Sequence, residues 1–480
     1  MPFLSFILLF AICLQAQDWS LDRPYTLRTL DYLPMLRNLH NQTQGGELSG
    51  IFPRRDSLWR HDLPKNPMLS WKGSNAYLAA SPVGGIEYRG FRSLDDTVKS
   101  LDGGLYLRGY KDSVEFWLDA RIFNESHSIS NVTQNNSWDR EFLEVQNDEN
   151  GDANYTSYAR YRGHMSLHMG WARLDVGRDA AHWGPGYFDN LTLNQQAVPF
   201  TQMSLETRIG PLTVKSLYGD LNISKSSMSS INKRSKSLYA HRYELQATQN
   251  LILAVNELTI LDSINKPILF VPIVPLFMQK GQMSEDNNNG ALSADFCYRM
   301  PGWFRIYSEF FLDDMASPVS LVKNDNIEAK WAHMAGLHLI RNFRAWEFGS
   351  LFEYARVEPY VYTHFSGSYA QISNQGYPLG NQLGPNSLSF DAMAYARHEN
   401  RYFGSLRARL WWKGTDYGSA VTDTTPSSKH YSTPKTFLTG ASRKFTLSPS
   451  FAYTGQYVGL QLEISLFDNP GVYTRLGFQW

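Results

Sequence analysis

The sequence is short of cysteine, of net charge and of long apolar runs, and each shortage excludes a class of protein. Its 45 basic and 45 acidic residues cancel, which argues against nucleic acid as a partner. Beyond the N-terminus no run of about 18 apolar residues occurs, which excludes transmembrane helices. No group of Cys and His residues has metal-ligand spacing, so we expect neither a metal nor any other cofactor.

The apolar N-terminus, MPFLSFILLFAICLQA (residues 1–16), is too short to span a bilayer and ends in small or polar residues. This pattern predicts a secretory signal peptide that is cleaved near Ala16. Ile12 is too bulky for the position before a lipidated cysteine, so we expect no lipid on Cys13. The mature chain then keeps Cys297 alone and forms no intramolecular disulfide.

Residues 17–75 differ in pattern from the rest of the chain. Pro34 divides or kinks this segment. Leucines recur in it at helical spacing, at Leu27, Leu30, Leu33, Leu36 and Leu39. We predict a short, partly helical N-terminal region over 17–75, and one β-barrel over 76–480.

The stretch 158–220 shows the β-pattern of the remainder most clearly. Polar residues alternate strictly with a second, mostly apolar set, and the polar set is Arg160, Arg162, His164, Ser166 and His168. A period of two puts these two populations on opposite faces of a strand. A soluble sandwich would bury the apolar face against a second sheet, whereas a membrane barrel would turn it to lipid and keep Arg and His in a wet lumen.

The lengths of the connections decide between these two folds. Polar and apolar residues alternate cleanly in strand-like segments such as 114–122, 405–412 and 458–466. Between the strands, tight turns and long polar connections alternate along the chain. The long connections are about 125–157, 181–199, 222–237, 262–290, 313–326, 357–386 and 413–442. This pattern predicts an all-β fold, a transmembrane antiparallel up-and-down β-barrel of about 18 strands with a periplasmic N-terminal region. Aromatic residues, 14% of the chain, suit the girdles of such a barrel.

Two segments resemble the signatures of the Wzi-type capsule assembly proteins of the outer membrane. The first runs from residue 182 to 200 and the second from 360 to 390, in the order that the family shows. The residues that carry the resemblance are His182, Trp183, Gly184, Pro185, Gly186, Asn194, Ala197 and Pro199, followed by Tyr362, His364, Gly380, Gly384, Pro385 and Asn386. The C-terminal strand VYTRLGFQW is also similar to the aromatic-ended strands of outer-membrane barrels.

The resemblance implies an 18-stranded barrel in the outer membrane of a Gram-negative bacterium, with a helical periplasmic part. It implies lectin-like attachment or assembly of capsular or extracellular polysaccharide at the cell surface. The further partners we expect are outer-membrane lipid and lipopolysaccharide and the barrel-assembly machinery, and we expect a monomer. The alternatives are a porin or transport barrel and, second, a hydrolase at the barrel rim.

Aromatic, amide and carboxylate side chains in outer loops are the candidates for sugar binding, because rings stack on sugars while amides and carboxylates pair with hydroxyls. They are Trp138, Tyr155, Tyr187, Asp189, Asn190 and Tyr417. Trp183 is either a sugar platform or, as we favour, a side chain that packs an inward-folded loop. The same choice, structural or binding, applies to the other motif residues.

Several features allow more than one interpretation. Arg178, Asp179 and His182 have acid–base chemistry, but without a paired-carboxylate or GxSxG motif we expect no enzyme. The lumen column at 160–168 either binds an anionic polymer or pairs with lumen acids such as Glu115, Asp119, Glu244 and Glu463. A basic cluster contacts acidic polysaccharide or lipopolysaccharide, or is simply solvated: Lys225, Lys233, Arg234 and Lys236.

Two outer connections raise further expectations. Loops 181–199 and 357–386 are rich in Gly, Pro and aromatic residues suited to folding inward, so we predict a poor pore. The apolar segment 267–278 lies in another outer connection, and its three prolines exclude a central strand or an undisturbed helix.

Overall fold

The computed structural model of the chain describes residues 67–91, 97–127, 155–223, 236–262, 266–272, 275–276, 288–399, 401–426, 433–455, 458–468 and 470–479. The predicted signal peptide, most of the predicted N-terminal region, and Trp138, Lys225, Lys233 and Arg234 lie outside these residues. Within them, no helix is both long and apolar enough to cross a membrane.

Strands account for most of the described chain. In order they are β1 (Leu69–Lys72), β2 (Ala76–Phe91), β3 (Thr97–Lys111), β4 (Val114–His127), β5 (Tyr155–His168), β6 (Ala172–Asp179), β7 (Phe200–Ile209), β8 (Leu212–Leu221), β9 (Lys236–Thr248), β10 (Leu251–Asp262), β11 (Asn289–Met300), β12 (Phe304–Met315), β13 (Ala329–Phe343), β14 (Trp346–Val357), β15 (Ser373–Asn374), β16 (Tyr377–Pro378), β17 (Ser387–His398), β18 (Tyr402–Lys413), β19 (Ser442–Thr454), β20 (Val458–Phe467) and β21 (Gly471–Gln479). The helix α1 (Pro318–Lys323) and 3-10 turns at Pro267–Phe270 and Gly367–Tyr369 lie in the connections.

The sheet closes on itself because β2 pairs with both β3 and β21. All pairings are antiparallel, and among the described residues the ring contains 18 strands, as expected. The short β1 pairs with residues 77–80 of β2, just beyond the point where Gln479 of β21 pairs with Val83. The pair β15–β16 stands apart from the ring, inside one long connection.

Side-chain exposure shows which face of the wall meets lipid. On β5, Arg160, Arg162 and His164 are buried at 5%, 2% and 5% exposure, whereas Tyr161 and Met165 are 50% and 57% exposed. A soluble sandwich would bury the apolar face, but here it is the apolar face that is open. The exposed apolar residues therefore form the lipid-facing belt of a membrane barrel, and the polar residues line its lumen.

Long and short connections lie at opposite ends of the ring, as predicted. Short turns join β7 to β8 and β11 to β12, with Gly210 and Gly302 at φ values of 58° and 73° that favour glycine. Long connections join β6 to β7, β14 to β17 and β18 to β19 at the other end. We call them the plug loop (180–199), the second loop (358–386) and the third loop (414–441).

Side chains of the wall and of the long loops pack inside the ring, and several of the buried charges form ion pairs. Arg242 of β9 contacts Asp295 at 2.6 Å and Glu244 at 2.9 Å, while Arg162 contacts Asp179 at 3.2 Å. Three of the predicted acidic partners pair with basic side chains: Glu115 with His168, Asp119 with Arg121, and Glu244 with Arg242. The apolar core between the walls includes Trp183, Leu191, Leu193, Phe311, Met334, Val361 and Tyr362.

Candidate functional site: the loops that close the lumen

Glu353 on β14 anchors the first half of the plug loop. Its carboxylate accepts hydrogen bonds from the backbone N–H groups of Tyr187, Phe188 at 2.6 Å and Asp189 at 3.2 Å. The hydroxyl of Tyr307 donates to the same carboxylate at 2.7 Å. Because Glu353 is buried, one side chain satisfies four donors that would otherwise be buried without partners.

Glu309 on β12 does the same for the second half of the loop. Its carboxylate accepts from the backbone N–H groups of Leu191 and Thr192, both at 2.9 Å, and from the Thr192 hydroxyl. Two lumen carboxylates on different strands therefore hold the plug loop at consecutive amides. Charge-assisted bonds of this kind are stronger than neutral ones, so the anchoring is substantial.

Asn190 stabilises the sharp turn that contains the tryptophan–glycine–proline–glycine motif. Its Oδ1 accepts from the Gly186 N–H at 2.7 Å, and its Nδ2 donates to the carbonyl oxygens of Trp183 at 3.0 Å and Leu193 at 3.2 Å. Gly184 has φ 125°, which disfavours other residues. Arg305 also donates to the Pro185 carbonyl at 2.9 Å.

Trp183 packs this turn into the apolar core. The side chain is 1% exposed, and its backbone bridges to Leu193 in antiparallel fashion. Farther along, Asn194 donates from Nδ2 to the Phe188 carbonyl at 3.1 Å and accepts from the Gln196 N–H at 3.0 Å. Trp183 is therefore a buried side chain of the plug loop.

The two sequence signatures, about 160 residues apart, meet in the lumen. The Tyr362 hydroxyl donates to the Leu191 carbonyl at 2.7 Å, and the Asn194 N–H donates to the Leu379 carbonyl at 2.8 Å. Gly380 lies so close that an added Cβ would stand 1.9 Å from the Leu191 carbonyl oxygen. Glycine is therefore needed where the second loop crosses the plug loop.

The third loop completes the closure. Asn386, with φ 55°, donates from Nδ2 to the Ser419 hydroxyl at 2.8 Å and accepts from the Leu438 N–H at 2.7 Å. His364 bridges to Thr424. Beside them, Lys413 of β18 donates to the carbonyl oxygens of Leu383, at 2.7 Å, and of Pro385, next to Gly384.

Burial shifts the pKa of two titratable groups in the plug loop. Burial, reinforced by the charges of Arg305 and Arg242, lowers the pKa of His182 to about 3. The Nε2 atom of the ring lies 3.1 Å from Asn190 Nδ2. Burial also raises the pKa of Asp189, although the nearby Arg409 opposes the shift.

Acid is expected to weaken the docking of the plug loop through His182. A released histidine takes up a proton below its ordinary pKa of about 6.5, whereas the docked one does so only near 3. The docked state therefore loses about 2–3 kcal/mol relative to the released state between pH 7 and about 4.5. Bilayer conductance at the two pH values should show more opening in acid for the wild type than for His182→Gln. An equal acid response of both proteins would contradict this role, and the raised pKa of Asp189 acts in the opposite direction in both.

Two of the three residues with acid–base chemistry, Arg178 and Asp179, lie on opposite faces of the same strand. Arg178 lies on the outer face of β6, over the ring of Tyr161 at 5.3 Å, and Asp179 lies on the lumen face. Asp179 instead pairs with Arg162 at 3.2 Å and accepts from the Ala180 N–H at 2.9 Å. In the part of the chain that the structure describes, no group of three or more His, Cys, Asp or Glu residues could hold a metal ion.

Several predicted binding residues lie deeper than the sequence indicated. Tyr187, Asp189 and Asn190 are 1%, 2% and 0% exposed, so their placement on an outer surface is corrected: they form internal contacts of the plug loop. Tyr417 is 61% exposed on the third loop, as expected of a binding residue. The side chain of Tyr155 is outside the described part of the structure.

The basic cluster also needs a correction. Lys236 is fully buried and donates to the Ser373 carbonyl at 2.7 Å, so it braces the second loop and does not belong to an exposed basic patch. A lysine that opens a strand next to a long loop looks exposed in sequence. It is buried here because the second loop folds back over the start of β9.

Sequence reasoning missed the two anchoring carboxylates, Glu309 and Glu353. Each occupies a lumen position in a strand whose alternation is plain in the sequence. Glu309, for example, is buried between Ser308 and Phe310, which face outward. The available signal was an acid in mid-strand on the lumen face. Its partners are backbone amides more than 100 residues away, which no local pattern reveals.

A closed, lipid-facing ring whose lumen is filled by its own outer loops defines a plugged β-barrel of the outer membrane. The family described as capsule assembly protein Wzi matches residues 120–402, more than half of the sequence. The chain belongs to this family, and the resemblance seen in its two signatures is confirmed.

Solved structures are similar to this chain at low identity. One is Wzi of Escherichia coli, described as an outer membrane protein involved in group 1 capsule assembly and a carbohydrate-binding β-barrel, with 13% identity and a TM-score of 0.55 over 83% of this chain and 84% of that chain. Another is OccAB2 of Acinetobacter baumannii, with 12% identity and a TM-score of 0.47 over 84% of this chain and 98% of that one. No curated protein matches the sequence.

Proposed function

We propose that this protein binds capsular or extracellular polysaccharide at the cell surface through its outer loops, as its part in capsule assembly. One observation carries the proposal: three outer loops close the lumen by bonding to one another and to the wall, so ligands meet a surface instead of a channel. The family is one of capsule assembly, and its Escherichia coli relative is described as carbohydrate-binding. The closed lumen disfavours a porin, and the dispersed acid–base residues disfavour a hydrolase.

Tyr417 is the described candidate best suited to sugar stacking. Its exposed ring stands edge-on to the buried ring of Tyr360, with centroids 6.3 Å apart. Its hydroxyl accepts from the Thr424 N–H at 3.1 Å, and Asp423 accepts from the Gly418 N–H at 2.7 Å. These bonds hold the ring in place before a ligand arrives, which reduces the entropy lost on binding.

The other candidates fall into two groups under this proposal. Trp138 and Tyr155 remain proposed contacts of the polysaccharide. Tyr187, Asp189 and Asn190 instead form the framework beneath the surface, since their polar groups already serve the plug loop. Asp189, for instance, accepts from the Ser389 hydroxyl at 2.8 Å.

The closed ring of strands also supports the oligomeric state and the membrane partners that we propose for this protein. Among the described residues, each of the 18 ring strands pairs on both sides, so the ring itself offers no edge to another chain, which supports a monomer. The exposed apolar belt supports outer-membrane lipid and lipopolysaccharide as its surroundings and the barrel-assembly machinery as its route of insertion.

Tyr417→Ala is expected to reduce polysaccharide retention on intact cells by roughly fivefold, since one stacking contact contributes about 1 kcal/mol. Surface-bound polysaccharide is measured by antibody or lectin labelling, and barrel assembly by heat-modifiable mobility. Tyr110→Ala is the matched control, because Tyr110 is 46% exposed but lies by the turn at the opposite end of the barrel. Unchanged retention in Tyr417→Ala cells would contradict the assignment of this surface.

A further inference from the structure

A polar pair lies on the outer face of the wall, where a membrane barrel should present apolar side chains. His241 Nδ1 lies 3.0 Å from Glu257 Oε1, between adjacent strands β9 and β10. Glu257 follows Val255 and Leu253 on the same face of β10, and these are 50% and 43% exposed in the lipid-facing belt. Asn256, between them, points the other way and contacts Arg242 in the lumen.

The pair is fully covered despite its outward direction. His241 is 0% and Glu257 3% exposed, because the described residues 266–272 and 275–276 of the connection between β10 and β11 lie over them on the outside of the barrel. We call this segment the strap. His241 Nε2 lies 2.9 Å from the Leu269 carbonyl oxygen.

Apolar packing holds the strap to the wall. Leu269 and Leu276 of the strap pack with Tyr239 of β9 and Leu261 of β10, and all four are buried to 3% or less. The Lys266 N–H also donates to the Tyr239 hydroxyl at 3.0 Å. The two ring nitrogens of His241 thus contact one acceptor atom on the wall, the Glu257 carboxylate, and one on the strap, the Leu269 carbonyl.

The strap turns other apolar side chains away from the wall. Ile268 is 69% and Val271 38% exposed, whereas Leu269 and Leu276 are buried at 1% and 3%. His241 and Glu257 stand one outward position beyond Tyr243 and Val255, about 7 Å along the strands. The strap therefore continues the apolar belt from the point where the wall itself becomes polar.

We infer that the strap is a lipid-contacting element that seats Ile268 and Val271 among the acyl chains of the outer leaflet. The polar pair would otherwise meet hydrocarbon, where charged side chains on the lipid face of a barrel are destabilising. We assign lipid acyl chains as the groups that contact the strap, because its exposed side chains are apolar and continue the lipid-facing belt. This inference is independent of polysaccharide binding by the outer loops.

Site-directed labelling tests the seat of the strap. Cysteine replaces Ile268 or Val271 in a Cys297→Ala background, with Val255→Cys as the lipid reference and Asp416→Cys in the exposed third loop as the aqueous reference. A bimane label is read in phosphatidylcholine proteoliposomes with doxyl-labelled lipid or aqueous iodide as quencher. At 268 and 271 we expect blue-shifted emission and strong loss of signal to doxyl lipid, as at 255, with little loss to iodide.

The opposite result at both strap positions, quenching by iodide as at 416, would overturn the inference. Quenching by neither reagent would also overturn it, since another protein surface would then cover the strap.

A second variant separates docking of the strap from folding of the barrel: Leu269→Ser in the Ile268→Cys protein removes the side chain that packs inward against the wall. It should raise iodide quenching at 268, and heat-modifiable mobility should confirm that the barrel is still folded. If the label at 268 is still quenched by doxyl lipid in the Leu269→Ser protein, the docking of the strap is not what places residue 268 in the lipid.

Discussion

Replacing Glu353 by leucine is expected to convert a closed barrel into a conducting one. The substitution removes the acceptor for the amides of residues 187–189 and for the Tyr307 hydroxyl. Unsatisfied buried donors cost about 1–3 kcal/mol each, so a combined loss of about 4 kcal/mol would shift the ratio of closed to open plug roughly a thousandfold. Planar-bilayer recordings should show long openings that the wild type lacks.

Graded variants identify the carboxylate as the cause. Glu353→Gln keeps one acceptor oxygen and should open less than Glu353→Leu, whereas adding Glu309→Leu should open the plug further. Glu347→Gln is the matched control, since Glu347 is a lumen carboxylate of the same strand that pairs with Arg397 of β17. Wild-type-like recordings from a folded Glu353→Leu barrel would show that the plug does not depend on this anchor.

Gly380→Ala is expected to prevent the second loop from crossing the plug loop. The new methyl group would lie 1.9 Å from the Leu191 carbonyl oxygen and 2.5 Å from the Tyr362 hydroxyl. A backbone carbonyl cannot move aside as a flexible side chain can, so the substitution should destabilise the folded protein by about 3 kcal/mol or more. We expect a clear fall in the yield of heat-modifiable, protease-resistant barrel.

A second glycine shows whether the methyl group alone matters. A Cβ on Gly404 of β18 would meet nothing within 4 Å, so Gly404→Ala should assemble like the wild type. Equal yields of the two alanine variants would contradict the close crossing of the loops. A fall in the yield of both variants would show that assembly is sensitive to loss of glycine at either position and not specifically to the contact at Gly380.

Much of the barrel can be predicted from local pattern alone. The alternation around Arg160 and Tyr161 assigns faces correctly because the side-chain period of a strand is two, whatever surrounds it. The alternation of short and long connections gives the topology, since strands that cross one membrane must return at each end. The signatures around Trp183 and Gly380 likewise identify the family.

The depth of the loop residues cannot be predicted in this way. Tyr187 and Tyr417 are both aromatic residues of long polar loops, yet one is 1% and the other 61% exposed. The difference arises from Glu353, which lies 166 residues from Tyr187 and draws its amide into the lumen. Lys236 was misplaced for the same reason, because Ser373 is 137 residues away.

The sequence by itself determined an outer-membrane barrel of about 18 strands, its two faces and its membership of the Wzi family, because these depend on short-range periodicity and contiguous motifs. Only the tertiary structure decided which loops close the lumen, which carboxylates hold them, and which aromatic ring remains open to a ligand. It also decided that the strap covers His241 and Glu257 from outside. Such contacts join residues far apart in the chain, and they form only when the closed ring brings its strands and loops together.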